Sequence, residues 1–219
     1  KSQYEFYMPT WAGVHPANGD PLWKYTAEDG TVGTTNDYTE ADYDMQGCAT
    51  PFAFGGLSNT LSWKGLSFSF MFCYSLGGKV YDSLYASIMH GGNKTGVNLH
   101  VDALKAWTPE NPNTDVPKYV NSNGDQSNSV STRFLYDATY IKLKNVNLSY
   151  SLPKNVTKHL GAISGVRVYA NVDNLFTIFK DKNYKGYDDI DIFGIGGYDG
   201  SANYIPIARA YTMGINITF

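Results

Sequence analysis

The side chains best suited to hold a ligand are aromatic and lie in long polar stretches. Trp107, Tyr81, Tyr85, Tyr119, Tyr184, Tyr187 and Tyr198 sit among Gly, Asn, Asp and Pro. Sugar rings stack on aromatic faces, and loops carry most recognition. The competing reading is that these rings pack the loops or touch a partner. Catalytic chemistry finds less support. His15, His90, His100 and His159 lie far apart without metal-ligand spacing, which reads as surface or loop histidines. Asp188, Asp189, Asp191 and Asp199 form an acidic, glycine-rich loop that could hold Ca²⁺. The EF-hand spacing is missing, however, and a solvated loop is the preferred reading. Gly194-Ile195-Gly196-Gly197 follows no phosphate-loop pattern. No paired carboxylates or nucleophile set stands out, so no enzyme, cofactor or metal site is expected.

The elements that carry these loops read as β-strands. From Arg209 to Phe219 the sequence alternates, with Tyr211, Met213, Ile215, Ile217 and Phe219 on one face and small or polar residues on the other. A period of two is a strand, and roughly ten residues cross a bilayer when tilted. Leu57 to Leu76 reads as a hairpin turning at Lys64-Gly65. Leu57, Leu61 and Trp63 share a face, with Asn59 as the exception; Leu66, Phe68, Phe70, Phe72, Tyr74 and Leu76 share a face on the second arm. The opposite faces hold Ser, Thr, Gly, one Cys and one Met, without charge. A water-exposed sheet face would usually carry charged residues against edge pairing. This pattern suits a membrane barrel, lipid outside and a crowded lumen inside, better than a soluble sandwich.

A third strand is expected over Thr139–Leu152. Its apolar parity changes between Leu143 and Val146, so either a bulge lies near Asn145 or the upper half stands above the bilayer. Pro153 opens a short turn or helix, Lys154–Leu160, closed by Gly161. A fourth strand places Val166, Val168, Ala170 and Val172 against Arg167, Tyr169, Asn171 and Asp173; the terminal strand is the fifth. The connections at 64–65 and 153–164 are short, while 77–138 and 177–207 are long. Short periplasmic turns and long external loops are the outer-membrane pattern. Trp63, Tyr150 and Phe219 would then sit at the inner interface, Tyr74 and Tyr211 at the outer one. Residues 1–52 are less regular; they would finish one ascending strand and form an external loop.

The totals agree. With 219 residues, the chain is one large all-β domain or part of a larger one. Charged residues make up 17%, mean hydropathy is −0.32, and no run of 18 apolar residues occurs. That excludes a helical span, not a barrel. A net charge of −3 offers no basic stripe for nucleic acid. Cys48 and Cys73 make no disulfide framework, and Cys73 reads as a buried thiol. Four glycosylation acceptor patterns begin at Asn93, Asn147, Asn155 and Asn216; two fall inside predicted membrane strands, and all four are read as chance. The start, Lys1-Ser2-Gln3-Tyr4, carries no signal-peptide pattern, and the chain is expected to be the C-terminal fragment of a longer polypeptide.

Ordered segments then point to a family. They are Ala12–Trp23, Phe54–Thr60, Trp63–Ser67, Trp107–Thr114, Tyr140–Val146, Ser149–Pro153, Asn174–Thr177 and the terminal strand. The chain resembles the C-terminal part of the SusC/RagA family of TonB-dependent outer-membrane transporters of Bacteroidota. The resemblance implies an all-β transmembrane antiparallel barrel of about 22 strands with a plugged lumen. Residues 1–219 would supply its C-terminal portion, with plug and signal peptide outside this chain. It also implies import of oligosaccharides or peptides with a SusD-like surface lipoprotein as lid and TonB as energy source. By the same resemblance, Tyr211, Met213, Ile215, Ile217 and Phe219 would be read by the barrel-assembly machinery. A soluble extracellular glycan-binding β-sandwich is the alternative.

Overall fold

The computed structural model describes residues 4–94, 96–159, 161–184 and 207–219. In chain order the strands are β1 (Glu5–Pro9), β2 (Trp11–Val14), β3 (Pro21–Thr26), β4 (Val32–Thr35), β5 (Tyr43–Cys48), β6 (Ala53–Trp63) and β7 (Leu66–Leu76). There follow β8 (Lys79–Tyr81), α1 (Ser83–Ile88), β9 (Leu135–Asp137), β10 (Tyr140–Ser151), α2 (Lys154–Thr157), β11 (Gly165–Phe179) and β12 (Ala210–Thr218). Short 3₁₀ turns lie at Val101–Lys105, Asn121–Asn123 and Thr132–Phe134. None of the described helices is long and apolar enough to cross a membrane.

The long strands form one antiparallel sheet in the order β12-β11-β10-β7-β6. The β6–β7 hairpin closes through Lys64 (φ 46°) and Gly65 (φ 89°). Two consecutive positive φ angles match the twist of a two-residue hairpin. A Cβ on Gly65 would also stand 2.6 Å from the Ser151 carbonyl oxygen, so the position admits little but glycine. At the other short connection, α2 follows Pro153, which supplies the fixed φ a helix start accepts, and Gly161 (φ 69°) leads on toward β11.

Directly paired residues share a face, so the pairing settles which side each strand presents. Leu57 pairs with Phe72, Leu61 with Phe68, Trp63 with Leu66, and Val146, Leu148 and Tyr150 with Phe70, Phe68 and Leu66. The parity change in β10 is a bulge. Leu143 pairs with Phe72 but Asn145 with Met71, leaving Lys144 as the extra residue. On the other side, Leu143 pairs with Phe176 and Asn145 with Asp173, so Asn174 and Leu175 stand opposite Lys144 alone. Asn174 takes φ 54°, a conformation Asn tolerates better than most residues. The bulge keeps Ile141 and Leu143 on the apolar face with Val146 and Leu148.

The remaining elements form a second layer. β1 pairs with β5, β2-β3-β4 form a small sheet, and β8 pairs with β9. These strands belong to sheets separate from the long one, so residues 4–52 add no strand to it; β1 runs antiparallel to β5, which leads directly into β6. They are short and turn back on themselves at Asn18-Gly19 and Asp29-Gly30, which favours local hairpins. The stretch 77–138 is likewise more than a loop. One buried cluster joins Phe6, Met8, Ala49, Tyr81, Ala86, Met89 and Phe134; another joins Val80, Tyr136, Ala138 and Tyr184. β11 extends to Phe179, so the second long connection starts later than expected.

The sandwich alternative fails on the apolar face. Neither buried cluster contains Phe68, Phe70 or Phe72. Leu57, Leu61, Trp63, Leu148, Val168, Met213 and Ile215 all stand exposed on the long sheet. The chain is a segment of an all-β transmembrane barrel wall.

Candidate functional site

Three surfaces could carry function. The first is the apolar face of the sheet. Tyr211, Met213, Ile215 and Ile217 pair with Val172, Ala170, Val168 and Val166. Met213 is 85% exposed and Trp63 69%, values foreign to a residue that folding has taken from water. Leu66, Leu148, Tyr150, Val168, Met213 and Ile215 border a shallow depression of about 510 Å³, nearly without polar atoms. Phe219 extends beyond β12 and is exposed. On its free edge, β12 has no strand neighbour within the sheet.

The second surface is the opposite, small-residue face. Asn145 donates to Asn171 Oδ1 (2.9 Å) and Asp173 Oδ1 (2.6 Å), and Asn171 donates to Asp173 Oδ2 (2.7 Å). The cluster sits at the bulge. Arg167 donates to Ser149 Oγ at 2.8 Å. Gly214 faces Tyr169, whose ring lies where a Cβ would be, 2.5 Å away. Glycine therefore lets the tyrosine lie flat across β12. Cys73 pairs with Gly56 and Lys142 on this face; its thiol is free and half-buried, less enclosed than the sequence suggested.

The third surface is the loop layer, and it redistributes the seven aromatics. Tyr81 is 3% exposed and stacks edge-on against Phe134. Tyr85 packs on Phe134 and His100, and its hydroxyl donates to Asp102 at 3.0 Å. Burial first, then Asp102, raise the Tyr85 pKa. Tyr184 is buried against Tyr136 and Phe179. These three are parts of the loop core. Trp107 lies against Gly19 and donates its indole N–H to the Pro16 carbonyl at 2.9 Å, locking two of the motif segments together. Lys118 reinforces this joint by pairing with Asp20 at 2.6 Å. Tyr119 alone of the described set is exposed, at 54%. Tyr187, Tyr198 and the Asp188–Asp199 loop lie outside the described residues.

The histidines divide as well. His90 lies in a loop, as one branch of the reading had it, and is buried there: its Nδ1 accepts backbone N–H bonds from Gly92 and Lys94. His100 Nδ1 caps the 3₁₀ turn by accepting from the Asp102 N–H. No group of three or more His, Cys, Asp or Glu able to hold a metal occurs among the described residues.

Sequence reasoning missed Arg133. Its guanidinium lies 5.0 Å from the Trp11 ring centre and 4.9 Å from that of Phe134. Burial pushes its pKa down to about 10. A lone Arg between Thr and Phe carries no local signal; only the meeting of residues 11 and 133 makes the site.

No protein-family model matches the chain. In sequence it is similar to TonB-dependent receptor P26 of Formosa agariphila, 30% identical over 186 residues, or 81% of this chain and 18% of the relative. It is also similar to TonB-dependent receptor SusC of Bacteroides thetaiotaomicron, 28% identical over 164 residues, or 75% of this chain and 15% of the relative. In structure it is similar to a chain of the RagAB peptide importer in the closed-closed state, with TM-score 0.76 and 32% identity over 98% of this chain and 23% of that one. The chain thus spans less than a quarter of the length of these relatives.

Proposed function

We propose that the chain belongs to the SusC/RagA group of TonB-dependent receptors and that residues 1–219 form the C-terminal portion of an outer-membrane nutrient importer. The observation that carries the reading is the two-sided sheet. One face is apolar and bare, as lipid contact requires, and the other is small and polar, as a lumen packed with protein requires. The edges at β6 and β12 would be closed by strands of the same receptor, since a spanning sheet must satisfy its backbone groups internally.

The imported nutrient is an oligosaccharide or a peptide, captured with a SusD-like surface lipoprotein over the loop layer and driven by TonB through segments beyond this chain. Tyr119 is the ligand or lid contact that its exposure favours. Trp107 is half-buried, and of its ring only the part not seated on Gly19 is available. The alternating terminal residues Tyr211, Met213, Ile215, Ile217 and Phe219 serve both as lipid contacts and as the signal for barrel assembly. The supporting RagAB and SusC likenesses favour this reading over any catalytic role.

Fractionation of cells producing the full receptor tests it. The protein should leave the outer-membrane pellet only with detergent, and a lipoprotein should co-purify. A deletion strain should lose growth on one class within a panel of glycans and peptides. Release into the soluble fraction would sink the importer reading.

A further inference from the structure

Arg133 is a half-buried cation, its guanidinium seated between two aromatic rings, without an anionic partner in the described fold. Its Nη1 donates to the Ser127 carbonyl at 2.6 Å, while both flanking contacts are ring faces. No carboxylate among the described residues forms an ion pair with it. A guanidinium offers five N–H donors, and a buried charge is costly unless paired. With its pKa near 10, it remains protonated at neutral pH.

Arg133 lines a half-enclosed cavity of about 370 Å³, whose wall also includes Trp11, Tyr85, Lys105, Asp115 and Tyr136. That is the size of a small-ligand pocket. The charges around it are mostly committed. Asp102 accepts from Lys105 at 2.6 Å and from the Tyr85 hydroxyl at 3.0 Å. Asp115, exposed at the rim, is the one other acid in the wall and lies beyond ion-pair distance of Arg133. The backbone N–H of Trp11 donates to Thr132 Oγ1 at 2.8 Å, tying β2 to the segment that carries Arg133.

We propose that this cavity is a binding site for a carboxylate-bearing ligand, with the carboxylate on the Arg133 guanidinium and the adjoining carbon skeleton against Trp11. A planar carboxylate matches the fork of an arginine, forming two parallel charge-assisted bonds. A peptide C-terminus and a uronic acid share this chemistry. The site is independent of the import reading, because binding at equilibrium needs neither TonB nor transport.

Calorimetry on the purified full-length receptor in detergent decides the matter. The probes are triglycine against triglycinamide, and glucuronate against glucose, at millimolar concentration. A carboxylate probe should bind about tenfold or more tightly than its neutral counterpart, the worth of a charged hydrogen bond. A preference confined to triglycine identifies a peptide site, one confined to glucuronate a sugar-acid site. Arg133→Gln should abolish the preference, whereas Asp115→Asn should strengthen carboxylate binding about twofold or more by removing a like charge. Equal binding of charged and neutral probes, or no binding of any probe by the wild-type receptor, overturns the proposal. So does a preference that survives Arg133→Gln. Should Arg133→Gln fail to fold, the wild-type probe pairs and Asp115→Asn carry the test, and unchanged or weaker carboxylate binding in Asp115→Asn then counts against the site.

Discussion

The long sheet and the loop layer use the same aromatic residues in opposite ways. In the loop layer Phe134 is fully buried, ringed by Tyr81, Tyr85 and Arg133, and burial is what holds the layer together. In the sheet Phe68, Phe70 and Phe72 lean on one another along a single strand, and neither buried cluster of the described residues includes them. The difference lies in the solvent each region is built for. A ring facing hydrocarbon need not be covered by protein, while a ring facing water gains by being covered.

This contrast can be broken experimentally, and the largest effect should come from the loop core. Phe134→Ala should destabilise that layer by about 3–5 kcal/mol, the usual loss for a buried aromatic. Limited proteolysis should then cut within 77–138 while the sheet stays folded in detergent. Loss of the whole fold would mean that the two regions are one cooperative unit. Next, Phe70→Arg should cost about 2–4 kcal/mol if it lies near mid-bilayer, and Ser69→Arg on the opposite face distinctly less. Equal losses in a detergent-unfolding assay would reverse the assigned faces. Gly65→Ala forces a Cβ into the left-handed region and toward the Ser151 carbonyl, a strain of about 1–3 kcal/mol. It should appear as slowed assembly in heat-modifiability gels.

The smallest effect is electrostatic. Asp137 works against some burial, but hydrogen bonds from Lys180, at 2.7 Å, and from Thr139 lower its pKa to about 2. A carboxylate depressed in the folded state stabilises above its unfolded pKa and loses that contribution as pH falls through the folded value. The link between β9 and the end of β11 should therefore loosen between about pH 4 and about pH 2. Asp137→Asn should remove that pH dependence, measured by hydrogen exchange at residues 135–139 and 178–181.

Much of the sheet was legible because a period of two leaves a visible mark in composition. The hairpin at Lys64-Gly65 and the faces of β6, β7, β11 and β12 were readable from alternation; the break in parity near Asn145 was visible too, but the choice between a bulge and an upper half above the bilayer took the strand pairing to make. The loop layer was not, since its contacts join residues far apart in sequence. Tyr81 and Tyr184 read as available loop aromatics because nothing nearby in sequence reveals that Phe6, Met8 or Ala138 would close over the same region. The burial of His90 within its loop was hidden for the same reason. The motif segments around Gly19 and Trp107 were noted separately, but their meeting at the Pro16 carbonyl was invisible.

The sequence by itself determined which residues of β6, β7, β11 and β12 share a face, because alternating side chains must point to alternating sides of a strand. Only the tertiary structure decided how one extra residue in β10 keeps that division continuous, and which loop aromatics are buried. It alone brought Arg133 beneath Trp11 at the edge of a cavity. Those outcomes depend on chain closure across more than a hundred residues, where local pattern holds no information and packing makes the choice.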